Sequence, residues 1–388
     1  MVNIRTEIIS IQDTIINWRR DFHKNPELSF KEFRTGELIA KELRSMGLEP
    51  KTKVGKTGVT ADLEFGSGPM IALRADMDAL PIQETSGLPY SSNNDGIMHA
   101  CGHDGHMAIL LGAAKVLTSK EKQFKGRVRF IFQPAEEGLG GAKYMIEDGC
   151  LNGVDEIYGL HLWNYQNLGE VGVKEGPVMA AADMFDIKIT GIGGHGAAPQ
   201  GTVDSIVVAS HLVQSFQTIV SRNTNPLDSA VITIGQIKGG QNFNIIADKV
   251  HLSGTARTYT EENRRMLKER MNEIVLGTEK MYNARIKFNY NDGYPPTVNH
   301  SVPAQRVLSA ARKVVGDKAG PLYNSMAGED FAYYLQKKPG CFFFVGSSPS
   351  EDKLFETPHH CSHFNIDERA LFIGSSIYLN IIDDILGV

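Results

Sequence analysis

The chain has 388 residues, 41% of them hydrophobic and 22% charged, with a net charge of −5 and a pI near 6.2; this length fits two domains better than one core. The composition is that of a soluble globular protein, and without a basic excess or a basic run neither a nucleic-acid partner nor a membrane surface is expected. Arg5, Glu7 and Asp13 interrupt any apolar N-terminal segment that could serve as an export signal, and no stretch approaches the roughly 18 apolar residues of a membrane span, so a cytoplasmic location is expected.

Ile4, Ile8, Ile11, Ile15 and Ile16 recur at helical spacing over residues 4–22. Ser29-Phe-Lys-Glu32 has the form of a capping box and predicts a helix from Ser29 to Met46, stopped at Gly47. Strands are expected at 70–75, 127–132 and 156–160, with helices at about 103–118 and 140–148 between them. That alternation predicts a largely parallel α/β sheet. The pattern changes after Pro177. Strands at 184–190, 230–237, 249–257 and 284–290, with long helices at about 203–221 and 260–282, form a self-contained α+β unit. Asn291-Asp-Gly-Tyr-Pro-Pro296 reads as its exit linker. Helix 301–315, strand 341–345 and helix 366–386 then return to the first sheet. The expected fold class is α/β: a mostly parallel-sheet domain over 1–182 and 296–388, interrupted by a four-stranded, two-helix α+β domain over 183–295.

Four cysteines, Cys101, Cys150, Cys341 and Cys361, are too few for a disulfide scaffold in a chain this long. Cys150 and Cys341 read as buried small apolar residues. Cys101 lies in His99-Ala-Cys101-Gly-His103-Asp104-Gly-His106, where three histidines, a cysteine and an aspartate fall within eight residues. Thiolate and imidazole are strong ligands for zinc-like metals, and Cys101 and His103 can face one centre from an extended loop. His99 and His106 read as packing residues or neighbours of the ligands.

Other chemistry-bearing segments follow predicted strands, where α/β sheets hold their ligands. Asp76-Met-Asp78 follows strand 70–75, and Gln133-Pro-Ala-Glu136-Glu137-Gly138 follows strand 127–132. Successive side chains of an extended segment point opposite ways, so Glu136 and Glu137 can divide labour between a proton acceptor and a metal ligand. His161 in Gly-Leu-His-Leu-Trp stands at another strand end, and His359-His360-Cys361-Ser-His363 comes late in the chain. Two metals can position and acidify a water, and a carboxylate can take its proton. The tetrahedral oxyanion then needs a donor, for which His195 in Gly-Ile-Gly-Gly-His-Gly-Ala-Ala-Pro is a candidate.

These motifs resemble the M20 family of metallopeptidases and amidohydrolases over nearly the whole chain. The branch they resemble holds aminoacylase-like, hippurate-hydrolase-like and indole-acetyl-amino-acid-hydrolase-like enzymes. Phe22-His-Lys-Asn-Pro-Glu-Leu-Ser-Phe30, Arg74-Ala-Asp-Met-Asp-Ala-Leu-Pro81, His99-Ala-Cys-Gly-His-Asp104, Phe132-Gln-Pro-Ala-Glu-Glu-Gly138 and Gly328-Glu-Asp-Phe331 carry the resemblance, in the family's order. It implies two divalent metal ions, Zn, Mn, Co or Ni, held by Cys101, His103, Glu137, His161 and His360, with Cys101 bridging. His360 is chosen from the late histidines because it stands four residues before the Phe of Phe364-Asn-Ile-Asp-Glu368. Glu136 is implied as general base and Asp78 as a residue behind the ligands. Asp76 stands where other branches place a ligating His and is not counted as a ligand. The inserted domain is implied to be a lid that dimerises, giving a homodimer or homotetramer. His195 is implied to polarise the scissile carbonyl, and Asn244, Arg257 and Gly328 to bind substrate. Ala247 departs from the family, which commonly has Pro there. The implied reaction is hydrolysis of N-acyl-L-amino acids; release of C-terminal residues from short peptides would use the same machinery. A non-catalytic binding module on the same scaffold would leave Glu136 without a purpose.

Overall fold

The computed structural model describes residues 2–119, 124–320, 325–349 and 356–387. They form two compact units. The first takes the chain up to Gly176, resumes at Val298 and resumes again at Asp330; the second takes Pro177–Thr297 and a short return ending at Glu329. Among the described residues no helix is long and apolar enough to cross a membrane.

The first unit is built on an eight-stranded mixed sheet. Its order is Lys51–Val54, Gly58–Glu64, Arg127–Gln133, Met70–Asp76, Glu156–Asn167, Gly340–Ser348, Val171–Gly172, Ala319–Gly320. The central pairings, around Met70–Asp76 and Glu156–Asn167, are parallel. Every residue of Met70–Asp76 and of Gly340–Ser348 is buried, as expected for parallel strands covered on both faces by helices. The covering helices include Gln12–Lys24, His103–Ser119, Ser301–Val315 and Arg369–Leu386. His103–Ser119 is apolar nearly all round and buried along its length, so it belongs in the core. Parallel strands share a C-terminal edge, and the register sets Asp76 beside Gln133.

The second unit is a four-stranded antiparallel sheet in the order Ala230–Gly239, Lys249–Thr258, Ala181–Thr190, Arg285–Tyr294. Burial alternates along Ala181–Thr190, the mark of a sheet with one face on a core. Phe185, Ile187 and Ile189 point to that core, where Leu212 and Phe216 of helix Ser205–Thr218 and Leu267 and Met271 of helix Glu261–Tyr282 meet them. Asp204 and Thr260 cap these helices by accepting from backbone N–H groups. The fold class is therefore the one expected: α/β, with a large mainly parallel sheet and a separate α+β unit.

Several element readings are corrected. The helix expected over 4–22 is broken into Thr6–Ile9 and Gln12–Lys24. Ser29 and Glu32 form no capping box: the helix is Phe33–Ser45, Ser29 Oγ donates to Asp78 Oδ2 at 2.7 Å, and Glu32 accepts from Thr57 Oγ1 and the Ala135 N–H. Tertiary acceptors and donors outcompete the local cap. Asn291–Tyr294 is not linker but the end of the Arg285–Tyr294 strand, carried past an irregular register. Strands Lys51–Val54 and Gly58–Glu64 were not expected; the first is a polar edge with no apolar alternation to reveal it.

Candidate metal centre

Gly102, at φ +95°, turns the loop between Cys101 and His103 in a conformation that glycine adopts without strain. His103 opens its helix, and its Nδ1 lies 2.8 Å from the Asp78 carbonyl oxygen. A carbonyl only accepts, so Nδ1 carries a proton, and Nε2, which has no hydrogen-bond partner, is the nitrogen left to face a cation. His161, inside the Glu156–Asn167 strand, is fixed the same way by the Leu162 carbonyl at 2.6 Å. Its Nε2 lies 3.5 Å from Cys101 Sγ.

Two donor clusters result, each with its ligand atoms within 4.8 Å of one another: Cys101, His103, His161, and Cys101, Glu137, His360. They share the thiol. His360 has φ +64°, a conformation costly for a side-chain-bearing residue and typical of functional positions. Its N–H donates to the Ala100 carbonyl at 2.8 Å, which holds this segment against the Cys101 loop, and its Nε2 lies 3.2 Å from Glu137 Oε1. The neighbouring histidines are elsewhere. His359 stacks on Trp163 and its Nε2 accepts from the Asn164 N–H; His363 Nε2 donates to the Glu356 carbonyl.

Glu136 and Glu137 correct the expectation of opposite directions. Ala135 sits at φ +55° and Glu137 and Gly138 depart from helical angles, so the segment is a tight turn. Both carboxylates come within 4.8 Å of the His103 ring nitrogen. Asp78 builds that turn. Its Oδ1 accepts from the Glu136 N–H at 2.9 Å and its Oδ2 from the Glu137 N–H at 3.0 Å. Burial pushes the Asp78 pKa up, but His103, Ser29 and the Glu137 N–H outweigh it and hold the carboxyl below its ordinary value.

The centre is strongly negative. Burial would lower the His103 pKa, yet Asp76, Asp78 and Glu137 raise it to about 10. Burial and the Glu137, Glu136 and Asp76 carboxylates push the Cys101 thiol well up. Donors that hold a proton so tightly suit a divalent cation, whose charge replaces that proton and stabilises the thiolate. His103 Nε2, which has no hydrogen-bond partner, and the His161, His360 and Glu137 donors that meet at the Cys101 thiol complete a donor set that fits such ions. His99 joins no cluster; it is buried with neither ring nitrogen partnered, and burial lowers its pKa to about 4.

Sequence reasoning missed two buried networks behind these donors. Asp104 Oδ2 accepts from Arg19 Nε at 2.9 Å and meets His23 Nδ1 at 2.8 Å, tying the His103 helix to Gln12–Lys24. Arg74 spans Gln133, Asp76 and Asp330. The Phe22–Phe30, Arg74–Pro81 and Gly328–Phe331 motifs contain His23, Arg74, Asp76 and Asp330, but nothing local announces which partners they choose.

In the second unit His195 is exposed on a two-residue strand paired with Ile245–Ile246, and its Nδ1 accepts from the Ala197 N–H at 3.1 Å. His195 and Asn244 line one groove of about 940 Å³ with Gly193, Gly194, Gly240 and Asn242. Arg257 is half-buried on the Lys249–Thr258 strand, its Nη1 donating to the Ala256 and Asp183 carbonyls and to Thr255 Oγ1. Gly328 lies against Ala182, where an added Cβ would meet the Ala182 methyl at 2.7 Å.

Residues 72–384 match the family model described as peptidase family M20/M25/M40. The chain is 44% identical over 375 residues to N-acetyl-L-cysteine deacetylase of Bacillus subtilis, covering 96% of this chain and 88% of that one. It is 40% identical over 380 residues to thermostable carboxypeptidase 2 of Saccharolobus solfataricus, covering 96% and 95%. Among solved structures, Bacillus subtilis YxeP, described as a dinuclear metal-binding peptidase of the M20 family, matches at TM-score 0.85 and 36% identity over 97% of this chain and 99% of that one.

Proposed function

The chain belongs to peptidase family M20/M25/M40, and on that premise we propose that it is a two-metal amidohydrolase cleaving the amide bond of N-acyl-L-amino acids to a carboxylic acid and a free amino acid. The observation that carries this reading is the pair of donor clusters sharing Cys101 with the Glu136 carboxylate beside them. The similarity to a deacetylase of an N-acetylated amino acid supports the substrate class.

Cys101, His103 and His161 would hold one divalent ion and Cys101, Glu137 and His360 the other. Ions there would polarise the scissile carbonyl and acidify the attacking water. Glu136 accepts the proton of that water and returns it to the departing nitrogen. Asp78 keeps the Glu136–Glu137 turn in place. In the second unit His195 is assigned to the carbonyl oxygen as a hydrogen-bond donor. Arg257 is assigned to the substrate carboxylate, which a guanidinium can grip with two parallel hydrogen bonds. Asn244 and Gly328 are assigned to the remainder of the substrate. We further assign the second unit as a lid through which the protein forms a homodimer or homotetramer, acting in the cytoplasm.

The test is a panel of N-acetyl-, N-benzoyl- and indole-acetyl-amino acids, with the protein stripped by chelation and resupplied with Zn, Mn, Co or Ni. Turnover should vanish on stripping and return with at least one metal. Inactivity on every acyl-amino acid with two ions bound refutes the substrate class. The 40% identity to a carboxypeptidase favours one alternative, release of C-terminal residues from short peptides. Dipeptides in the same panel compare the two, and a higher kcat/KM on dipeptides selects that alternative.

A further inference from the structure

Both backbone polar atoms of Leu162, in successive peptide units, are bonded to histidines. The carbonyl accepts from His161 Nδ1 at 2.6 Å, and the N–H donates to His106 Nε2 at 2.9 Å. A backbone N–H only donates, so His106 Nε2 carries a lone pair and the ring proton is on Nδ1. That proton faces Asp76 Oδ1 at 2.6 Å. Asp76 Oδ2 in turn accepts from Arg74 Nη1 at 2.6 Å, and Arg74 Nη2 donates to Asp330 Oδ1 at 3.0 Å. Arg74, Asp76, His106 and Asp330 are all buried. The His106 ring stands edge-on to His161 with centroids 4.7 Å apart, and 5.4 Å from His103.

His106, Asp76 and His103 form a further cluster of donor atoms within 4.8 Å. It does not have the makings of a cation site, because both His106 nitrogens and both Asp76 oxygens are already committed. We propose instead that His106, oriented by Asp76, is a positioning residue: through the Leu162 backbone it fixes the tautomer and ring direction of His161, and so sets the cation affinity of the Cys101–His103–His161 cluster without touching the ion. The proposal rests on the two-metal reading above only in treating His161 as a ligand. Without His106 the Leu162 N–H is left buried and unpaired; the Leu162 backbone shifts to find another acceptor, and its carbonyl, one Cα away, moves off the His161 proton that it holds on Nδ1. Glutamine can replace the clamp, since its amide offers one acceptor and one donor set apart much as the two ring nitrogens are.

The experiment titrates the metal-stripped full-length protein with Mn²⁺ by calorimetry and records histidine ¹⁵N spectra of the same protein. Wild type should bind two equivalents and show His161 protonated on Nδ1. His106→Leu should bind one equivalent 10- to 100-fold more weakly, in the range known for partners of metal-bound histidines, and leave the other unchanged; His161 should then show a mixture of tautomers. His106→Gln should recover most of both. Should His106→Leu fail to fold, His106→Asn supplies the second variant: its shorter amide cannot reach both Asp76 and the Leu162 N–H, and the same single equivalent should weaken. Wild-type affinity at both equivalents in the folded variants, equal weakening at both, or an unchanged His161 tautomer overturns the clamp. A wild type that binds no cation overturns the two-metal reading, while the tautomer spectra still decide the clamp.

Discussion

Two adjacent carboxylates at the metal centre differ in their surroundings. Glu136 is 6% exposed, whereas the Glu137 side chain is 13% exposed and shares a donor cluster with Cys101 and His360. In the proposed mechanism Glu137 is assigned to a cation and Glu136 to proton transfer. Glu136→Gln keeps the volume and removes the basic oxygen. It should lower kcat by about 10²–10⁴-fold, the usual worth of a general base, while metal content by elemental analysis stays at the wild-type value. Undiminished turnover would dismiss Glu136 as the base. The late histidines carry the same lesson at this scale. His359, His360 and His363 are alike in composition, but only His360 has its backbone drawn to the Ala100 carbonyl and its ring toward Glu137.

At the scale of elements, the turn after the Arg127–Gln133 strand depends on one close approach. A Cβ on Gly141 would lie 1.7 Å from the Pro134 carbonyl oxygen, and the Gly141 N–H donates to the Ala135 carbonyl at 3.0 Å. Only glycine lets the chain fold back so tightly beneath Glu136 and Glu137. Gly141→Ala should therefore cost about 1–3 kcal/mol, as overpacking does, and should impair catalysis by moving the two carboxylates. Denaturant midpoints and steady-state rates measured together check this; a variant unchanged in both would mean the turn tolerates the methyl group. The long apolar strands and the amphipathic helices were legible because their periodicity is written in their own residues. The capping box failed for the opposite reason: Ser29 and Glu32 satisfy the local pattern but bond to Asp78 and to Thr57 and Ala135, which no local window contains.

Across the whole molecule, two buried carboxylates bend the pH dependence of stability in opposite directions. Burial pushes the Glu84 pKa up, but His23, Ser86 and the Ser92 N–H outweigh it and bring the pKa from 4.5 to about 2. Its contribution is complete above pH 4.5 and disappears as the pH falls toward 2. Burial dominates at Glu32 and raises its pKa from 4.5 to about 7, against the hydrogen bonds from Thr57 and Ala135. There the folded state holds a proton that the unfolded chain releases, so stability declines as the pH rises from 4.5 to 7. Thermal unfolding across pH should show Glu84→Gln below wild type above pH 4.5 and converging with it in acid. Glu32→Gln should flatten the slope between 4.5 and 7. Parallel wild-type and mutant profiles would contradict both assignments.

The sequence by itself determined the fold class, the alternation of strands and helices, and the segments rich in metal-binding side chains, because each is encoded within a short window of the chain. The tertiary structure alone decided which of those side chains meet: Cys101 with His161 across 60 positions, Asp78 with the Glu136–Glu137 turn, and Arg74 with Asp330 across 256. A buried donor or acceptor must find a partner wherever the fold brings one within about 3 Å, and that distance is set by the registration of parallel strands and covering helices, which sequence spacing does not record.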